Sequence, residues 1–302
     1  MYLEICGIGK SFGDKEVLKN ISFKIRSGRA MGFLGRNGSG KTTTLRCIMN
    51  IFKPKYGEIL LDGSAFNPKK NRVGYLPEER GLYYKEKILD QLIYFGQLRG
   101  YSRNESRDSS KFWIERFGLG EYSDKKLETL SKGNQQKVQI AQAFINDPDI
   151  IILDEPFSGL DPVNAEVFKD VIKESVKEGK LVLFSSHQMG YVEEFCDDIT
   201  LIDDGSIILS DDLMKVKENK SKGKYRIDAD NIDRERFKRI IENKFPASIT
   251  NEDKISLIID MEGKSSNELL STLIDEKISI KVFSTYMPSL NDIFIEEVGG
   301  NA

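Results

Sequence analysis

Gly35-Arg36-Asn37-Gly38-Ser39-Gly40-Lys41-Thr42 matches the pattern G-x-x-x-x-G-K-[ST]. Its surroundings give the pattern meaning. Ala30 to Leu34, just upstream, reads as a buried strand. Downstream, Leu45, Ile48, Met49 and Phe52 recur at i, i+3, i+4 and i+7, the spacing of one helix face from about Thr42. Strand, glycine-rich turn and helix in that order form a phosphate-binding loop. Gly35, Gly38 and Gly40 let the backbone of Arg36, Asn37 and Ser39 wrap close to an anion with its N–H groups inward. The helix that begins around Thr42 and Thr43 adds the positive end of its dipole. Lys41 is expected to reach the β- and γ-phosphates of ATP, and the Thr42 hydroxyl to meet Mg2+.

The composition leaves room for this chemistry and closes off other kinds. The chain has 302 residues, 39% hydrophobic and 31% charged, enough for a principal domain and a smaller second one. A formal charge of -3, with no dense Lys/Arg block, gives no electrostatic footprint for nucleic acid, which is not an expected partner. No apolar stretch approaches the roughly 20 residues that span a bilayer, and Met1 to Lys10 lacks the features of a secretory signal, so a cytoplasmic protein is expected. Cys6, Cys47 and Cys196 are too few and too scattered for a disulfide framework or a metal site, and read as reduced core residues.

Along the chain, Leu3 to Ile25 mixes short apolar runs with turn signals and predicts a small antiparallel sheet. From about 82 to 145 the strand signal gives way to helical periodicity at Leu89, Leu92, Ile93, Trp113 and Phe117, a helical insertion. Strand-like runs return at Ile150 to Leu153, Leu181 to Phe184 and Ile199 to Ile202, separated by helices over Val163 to Glu178 and Met189 to Cys196. That alternation implies an α/β fold with a parallel sheet covered on both faces, closed by a hairpin at Asp204-Gly205. Lys215 to Lys224 loses apolar periodicity and reads as a linker, which places the first domain at 1–216 and an accessory domain at 217–302. The second unit reads as strand (Tyr225 to Asp228), helix (Arg234 to Phe245), strands (Ala247 to Thr250, Lys254 to Asp260), helix (Ser266 to Glu276) and strand (Ile278 to Ser284). This α+β order fits a ferredoxin-like unit with a last helix near Leu290 to Val298.

Ile150 to Leu153 runs into Asp154-Glu155, two carboxylates at the carboxyl end of a strand, where α/β sheets place ligands. Asp154 is suited to hold Mg2+ through its water shell, and Glu155 to polarise the attacking water. With these motifs in hand, Leu130-Ser131-Lys132-Gly133-Asn134-Gln135-Gln136 resembles the Leu-Ser-Gly-Gly-Gln signature of the ATP-binding-cassette (ABC) ATPases, at the start of a helix. The resemblance implies that Ser131 and Gly133 contact the γ-phosphate of ATP held by a second copy, in a head-to-tail homodimer. Ser158-Gly159-Leu160-Asp161 resembles that family's D-loop, and His187, the only histidine, stands where the family has its switch histidine. Phe12 occupies the place of the aromatic residue that stacks on adenine, although a core position would suit it too.

Two departures from the family pattern stand out. In the signature, Lys132 replaces the first paired glycine and Asn134 the glutamine. In Gly74-Tyr75-Leu76-Pro77-Glu78, Glu78 replaces the Q-loop glutamine, and reads either as a group that faces Mg2+ or as an outward-facing loop acid. A single cassette, without long heptads or a zinc motif, points to a transporter subunit at the inner face of the cell membrane, and the family resemblance implies that its separate transmembrane permease docks in the cleft beside the helical insertion, near Glu78 to Lys87. Tyr83 and Tyr84 are either contacts for that partner or locally packed aromatics. The arrangement, one cassette with an accessory tail ending in Pro288-Ser289-Leu290-Asn291-Asp292-Ile293-Phe294, resembles bacterial exporters of the ABC-2 kind, including sodium-extrusion systems. A soluble regulatory ATPase acting on a macromolecular complex is the alternative.

Overall fold

The computed structural model describes residues 1–79, 81–244, 248–252, 256–261 and 263–299. The chain divides into two compact units, Met1–Leu213 and Met214–Ala302. In the first, β1 (Tyr2–Phe12) and β2 (Lys15–Arg26) pair antiparallel, from Tyr2 opposite Arg26 to Phe12 opposite Lys15. Then come β3 (Ala30–Leu34), α1 (Lys41–Ile48), β4 (Tyr56–Leu61), β5 (Ser64–Ala65) and β6 (Val73–Leu76). The helical insertion holds α2 (Ile88–Leu98), α3 (Arg103–Arg116) and α4 (Lys132–Phe144). Finally β7 (Ile150–Asp154), α5 (Pro162–Lys177), β8 (Leu181–Ser186), α6 (Met189–Phe195), β9 (Asp198–Asp203) and β10 (Ser206–Asp212) complete the unit.

These strands make a four-stranded sheet, β2-β1-β4-β5, and a six-stranded sheet, β10-β9-β3-β8-β7-β6. In the larger sheet every pairing except the β9–β10 hairpin is parallel. Strands β3, β7 and β8 are buried along their whole length, which is why they read as unbroken apolar runs. One core joins the two sheets: Leu3, Ile5 and Phe23 of the smaller pack with Phe33, Ile152 and Leu183 of the larger.

Several boundaries differ from the sequence reading. Helix α1 ends at Ile48, a turn before Phe52, because Asn50 takes a left-handed conformation with φ of 54°. Strand β4 and the edge strand β5 escaped notice, being half-exposed or exposed and lacking alternation. Cys6 is only half-buried, whereas Cys47 and Cys196 are core residues.

Most of the stretch read as a linker belongs to α7 (Leu213–Ser221), whose Leu213 and Val216 are buried in a run of lysines with Glu218 and Asn219. Too few apolar residues mark its face for helical periodicity to show. The second unit continues with β11 (Lys224–Ala229), α8 (Arg234–Lys244), β12 (Ser248–Glu252), β13 (Leu257–Asp260), α9 (Ser266–Asp275), β14 (Ile280–Thr285) and α10 (Leu290–Gly299). Its antiparallel sheet has the order β12-β13-β11-β14, the ferredoxin-like arrangement expected from the element order. Phe245, Ala247 and Lys254, which bound expected elements, lie outside the described residues.

Phe33 is fully buried in β3 and stacks on Phe23 with ring centroids 5.1 Å apart. Phe33→Ala is expected to cost about 3–5 kcal/mol. A lower urea midpoint at unchanged m value checks it.

Candidate nucleotide-binding site

The parallel register puts the reacting groups in one row. Leu34 pairs with Ser186, and Asp154 with Ser185, so the phosphate-binding loop, the acid pair and the segment leading to His187 emerge from neighbouring strand ends. Between β3 and α1 the loop turns through Gly38 and then Gly40 at φ of 112°, a conformation that a side chain would strain. A Cβ at Gly35 would meet the Ile202 carbonyl oxygen at 2.3 Å, so glycine is needed here for close packing. Helix α1 has no side-chain cap and no acid in its first turn, which leaves its N-terminal N–H groups for an anion. The Lys41 ammonium, 6% exposed, folds back onto the carbonyl oxygens of Gly35 at 2.8 Å and Arg36 at 3.2 Å.

A cleft of about 600 Å3 opens over this loop. Phe12, Asn37, Gly38, Gly40 and Lys41 line it, with Thr42, Thr43, Glu78 and Glu155. Phe12 is 46% exposed, so it is no core residue; it lies edge-on to Phe52, centroids 5.2 Å apart, with the Lys10 ammonium 5.1 Å from its ring centre. Arg36 is exposed at the loop tip, and the buried Ser39 hydroxyl oxygen has no hydrogen-bond partner.

The acid pair is held by β8. The Ser185 hydroxyl donates to Asp154 Oδ1 at 2.6 Å and accepts from the Glu155 N–H at 3.0 Å. Asp154 Oδ2 is buried without a partner. Burial pushes the Asp154 carboxyl above its ordinary range, against the Ser185 and Thr42 hydroxyls, with the charges of Glu78 and Glu155 adding to the rise. Glu155 is left-handed, φ 50°. Its Oε2 lies 2.8 Å from His187 Nδ1 and its Oε1 3.6 Å from the Lys41 ammonium. The Thr42 hydroxyl donates to Glu78 Oε2 at 3.2 Å, so Glu78 turns into the site and is not an outward-facing acid. Among the described residues no group of three His, Cys, Asp or Glu side chains gathers to hold a metal.

Ser131, Gly133 and Asp161 do not line that cleft. Ser131 caps α4 by accepting from the Asn134 N–H at 3.3 Å. A Cβ at Gly133 would lie 3.4 Å from the Gly159 carbonyl oxygen, so the signature and the D-loop are neighbours. Asp161 caps α5, and the Asn164 N–H holds its carboxyl below the usual range. Sequence reasoning gave no role to Ser185, nor to two glutamines of α4. Gln139 Nε2 donates to the carbonyls of Pro77 at 2.9 Å and Glu79 at 3.3 Å, and Gln136 Nε2 to that of Pro156 at 3.3 Å. Their signal was polar side chains in an otherwise buried helix face. Tyr83 stacks on Phe95, centroids 5.8 Å apart, while half its surface stays exposed.

Residues 18–158 match the family model described as ABC transporter, and residues 212–298 that of the ATP-binding protein DrrA1-3-like, C-terminal domain. The chain is 39% identical over 298 residues to the ABC transporter ATP-binding protein YhaQ of Bacillus subtilis, covering 98% of each. Identity to the ABC transporter ATP-binding protein NatA of that organism is also 39%, over 66% of this chain and 85% of NatA. Among solved structures, the ATP binding subunit of an ABC transporter matches with a TM-score of 0.67 at 26% identity, over 72% of this chain and 93% of that one. The dimeric post-hydrolysis state of the ATP-binding cassette MJ0796, bound to ADP and Pi, matches with a TM-score of 0.65 at 26% identity, over 70% and 98%. The chain therefore belongs to the ATP-binding proteins of ABC transporters, and its activity is that of an ATPase subunit serving such a transporter.

Asp154 binds its proton more tightly folded than unfolded, so the native state carries more protons from pH 3.8 upward and stability falls as pH rises through that window. Asp154→Asn keeps the shape and removes the buried charge. A higher melting temperature at pH 7, with a flatter pH dependence than the parent, is the expected result in scanning calorimetry of the nucleotide-free protein.

Proposed function

We propose that this chain powers an exporter of the ABC-2 kind, working as a head-to-tail pair of copies on a transmembrane permease at the cytoplasmic face of the membrane. The observation that carries the pairing is the split site: the P-loop cleft holds one set of groups, and the signature end of α4, with Ser131 and Gly133, lies outside it. A second copy that brings its signature to the first cleft closes the triphosphate between two helix N-termini. No helix among the described residues is long and apolar enough to cross a membrane, which fits a spanning part on another polypeptide. Export is supported by the DrrA-like second unit and by 32% identity over 210 residues to the linearmycin resistance ATP-binding protein LnrL of Bacillus subtilis.

Each residue has work to do in that cycle. The glycine-rich loop and Thr43 cradle the phosphates, while Lys41 exchanges the Gly35 and Arg36 carbonyls for β- and γ-phosphate oxygens. Phe12 offers an exposed ring to adenine. Thr42, with its hydroxyl at the cleft, and Asp154, with an unpartnered Oδ2, suit Mg2+, which takes one or two protein oxygens besides phosphates and water. When bound, that ion neutralises charge on the β- and γ-phosphates. Glu78, within reach of Thr42, approaches the same position. Glu155 accepts the proton of the attacking water, and His187, bonded to it, fixes its carboxylate and faces the γ-phosphate. Asp161 carries the D-loop to the shared face.

Glu155→Gln removes the base and keeps the shape. ATPase activity should fall by about 100-fold or more, and Mg-ATP should double the mass seen by light scattering. A protein that binds ATP and stays monomeric would sink the head-to-tail reading. For Glu78→Ala, a slower ATPase with a raised Mg2+ requirement is expected; no change in either would remove Glu78 from the site. Recovery of a membrane protein with the tagged chain separates a transporter subunit from a soluble regulator.

A further inference from the structure

The signature helix is charged the wrong way round for an ordinary helix. Helix N-termini favour acids, as at α3, where Glu105 completes a capping box with Ser102. Helix α4 has no acid anywhere, and its first two turns carry Lys132 and Lys137. Lys132 is exposed at the first helical position, in place of the glycine that the family signature has there. Among the described residues nothing pairs with its ammonium, and the N–H groups of Lys132 and Gly133 donate to no acceptor.

A second observation comes from inside the helix. Lys137 is only 9% exposed, yet no carbonyl or carboxylate among the described residues accepts from it. It lies four residues after Gly133, on the same helix face, and side chains on a helix lean toward its N-terminus. Gly133 has no side chain there, and the Gly159 carbonyl oxygen lies 3.4 Å from where its Cβ would be. Burial holds the Lys137 ammonium below its usual pKa, and Asp161 is the charge that opposes the shift. An unpartnered, desolvated cation thus backs an N-terminus that already carries free N–H groups and a second cation.

We propose that Lys132, backed by Lys137, is a cationic ligand supplied in trans to the γ-phosphate of the ATP on the partner copy. This rests on the head-to-tail reading above. Where the family signature relies on backbone N–H groups and a hydroxyl, this chain adds a full positive charge, so pair closure gains a strong dependence on the terminal phosphate. Lys132 makes no contact within its own cleft, so its charge bears on association and leaves nucleotide binding to the single copy as it is.

The test uses the full chain carrying Glu155→Gln, with dimer mass followed by light scattering across an ATP titration. Adding Lys132→Gln should raise the ATP concentration for half-dimerisation by about tenfold, while Lys132→Arg stays within about twofold. Affinity of the dilute monomer for a fluorescent ATP analogue, and the melting temperature, should not move in either. Added salt should narrow the gap between the Glu155→Gln parent and the protein that also carries Lys132→Gln. If the Lys132→Gln protein dimerises at the parent's ATP concentration, the proposal fails while the head-to-tail pair stands. If the Glu155→Gln parent fails to dimerise with ATP, the pair itself is wrong and the proposal falls with it.

Discussion

Register among three parallel strands governs this molecule. Because β3 lies beside β8, and β8 beside β7, Leu34, Ser186 and Asp154 end within a residue of one another, and the loops that follow share one edge of the sheet. Side chains alternate along a strand, so a slip of one residue in β7 would turn Asp154 to the opposite face and break its bond with Ser185. The fully buried aliphatic side chains of β3, β7 and β8 forbid that slip. The core thus sets the position of the chemistry, and the loops add only the last few ångströms.

That edge stores charge and strain against the ordinary preferences of a folded chain. A left-handed glutamate, an aspartate with one oxygen buried and unanswered, and a lysine resting on main-chain carbonyls all lie within one site. Each is a group whose natural partner is a phosphate, a cation or a water in line for attack. The surrounding sheet is well enough packed to hold them in place while they wait.

How much of this could be read from the chain depended on distance in sequence. Gly35 to Thr42 declares itself because the loop, its strand and its helix are contiguous and each has its own pattern. Asp154-Glu155 gains meaning from the aliphatic run before it. Ser185, Gln136 and Gln139 were silent, because a serine in a strand or a glutamine in a helix shows its purpose only through a partner far along the chain. Helix α7 hid for a different reason: its charged exterior leaves Leu213 and Val216 as its buried apolar residues, too little for periodicity to stand out from a linker. The ferredoxin-like order of the second unit was legible from alternation alone, since β11, β13 and β14 pair in the sequence-predicted pattern.

Through Gln139 and Gln136, α4 grips the main chain on both sides of its own active site, at Pro77 and Glu79 and again at Pro156. The signature opens the same helix, with Ser131 as its cap little more than a turn before Gln136. On the head-to-tail reading, that first stretch of α4 stands between a neighbour's nucleotide and its own two loops at Pro77–Glu79 and Pro156. In the proposed pair the two active sites would thereby be linked: a displacement of this helix start in one copy would be passed to the Pro156 loop that follows Glu155. Such linkage would be reciprocal, so in that pair the state of either nucleotide would bear on the reactivity of both.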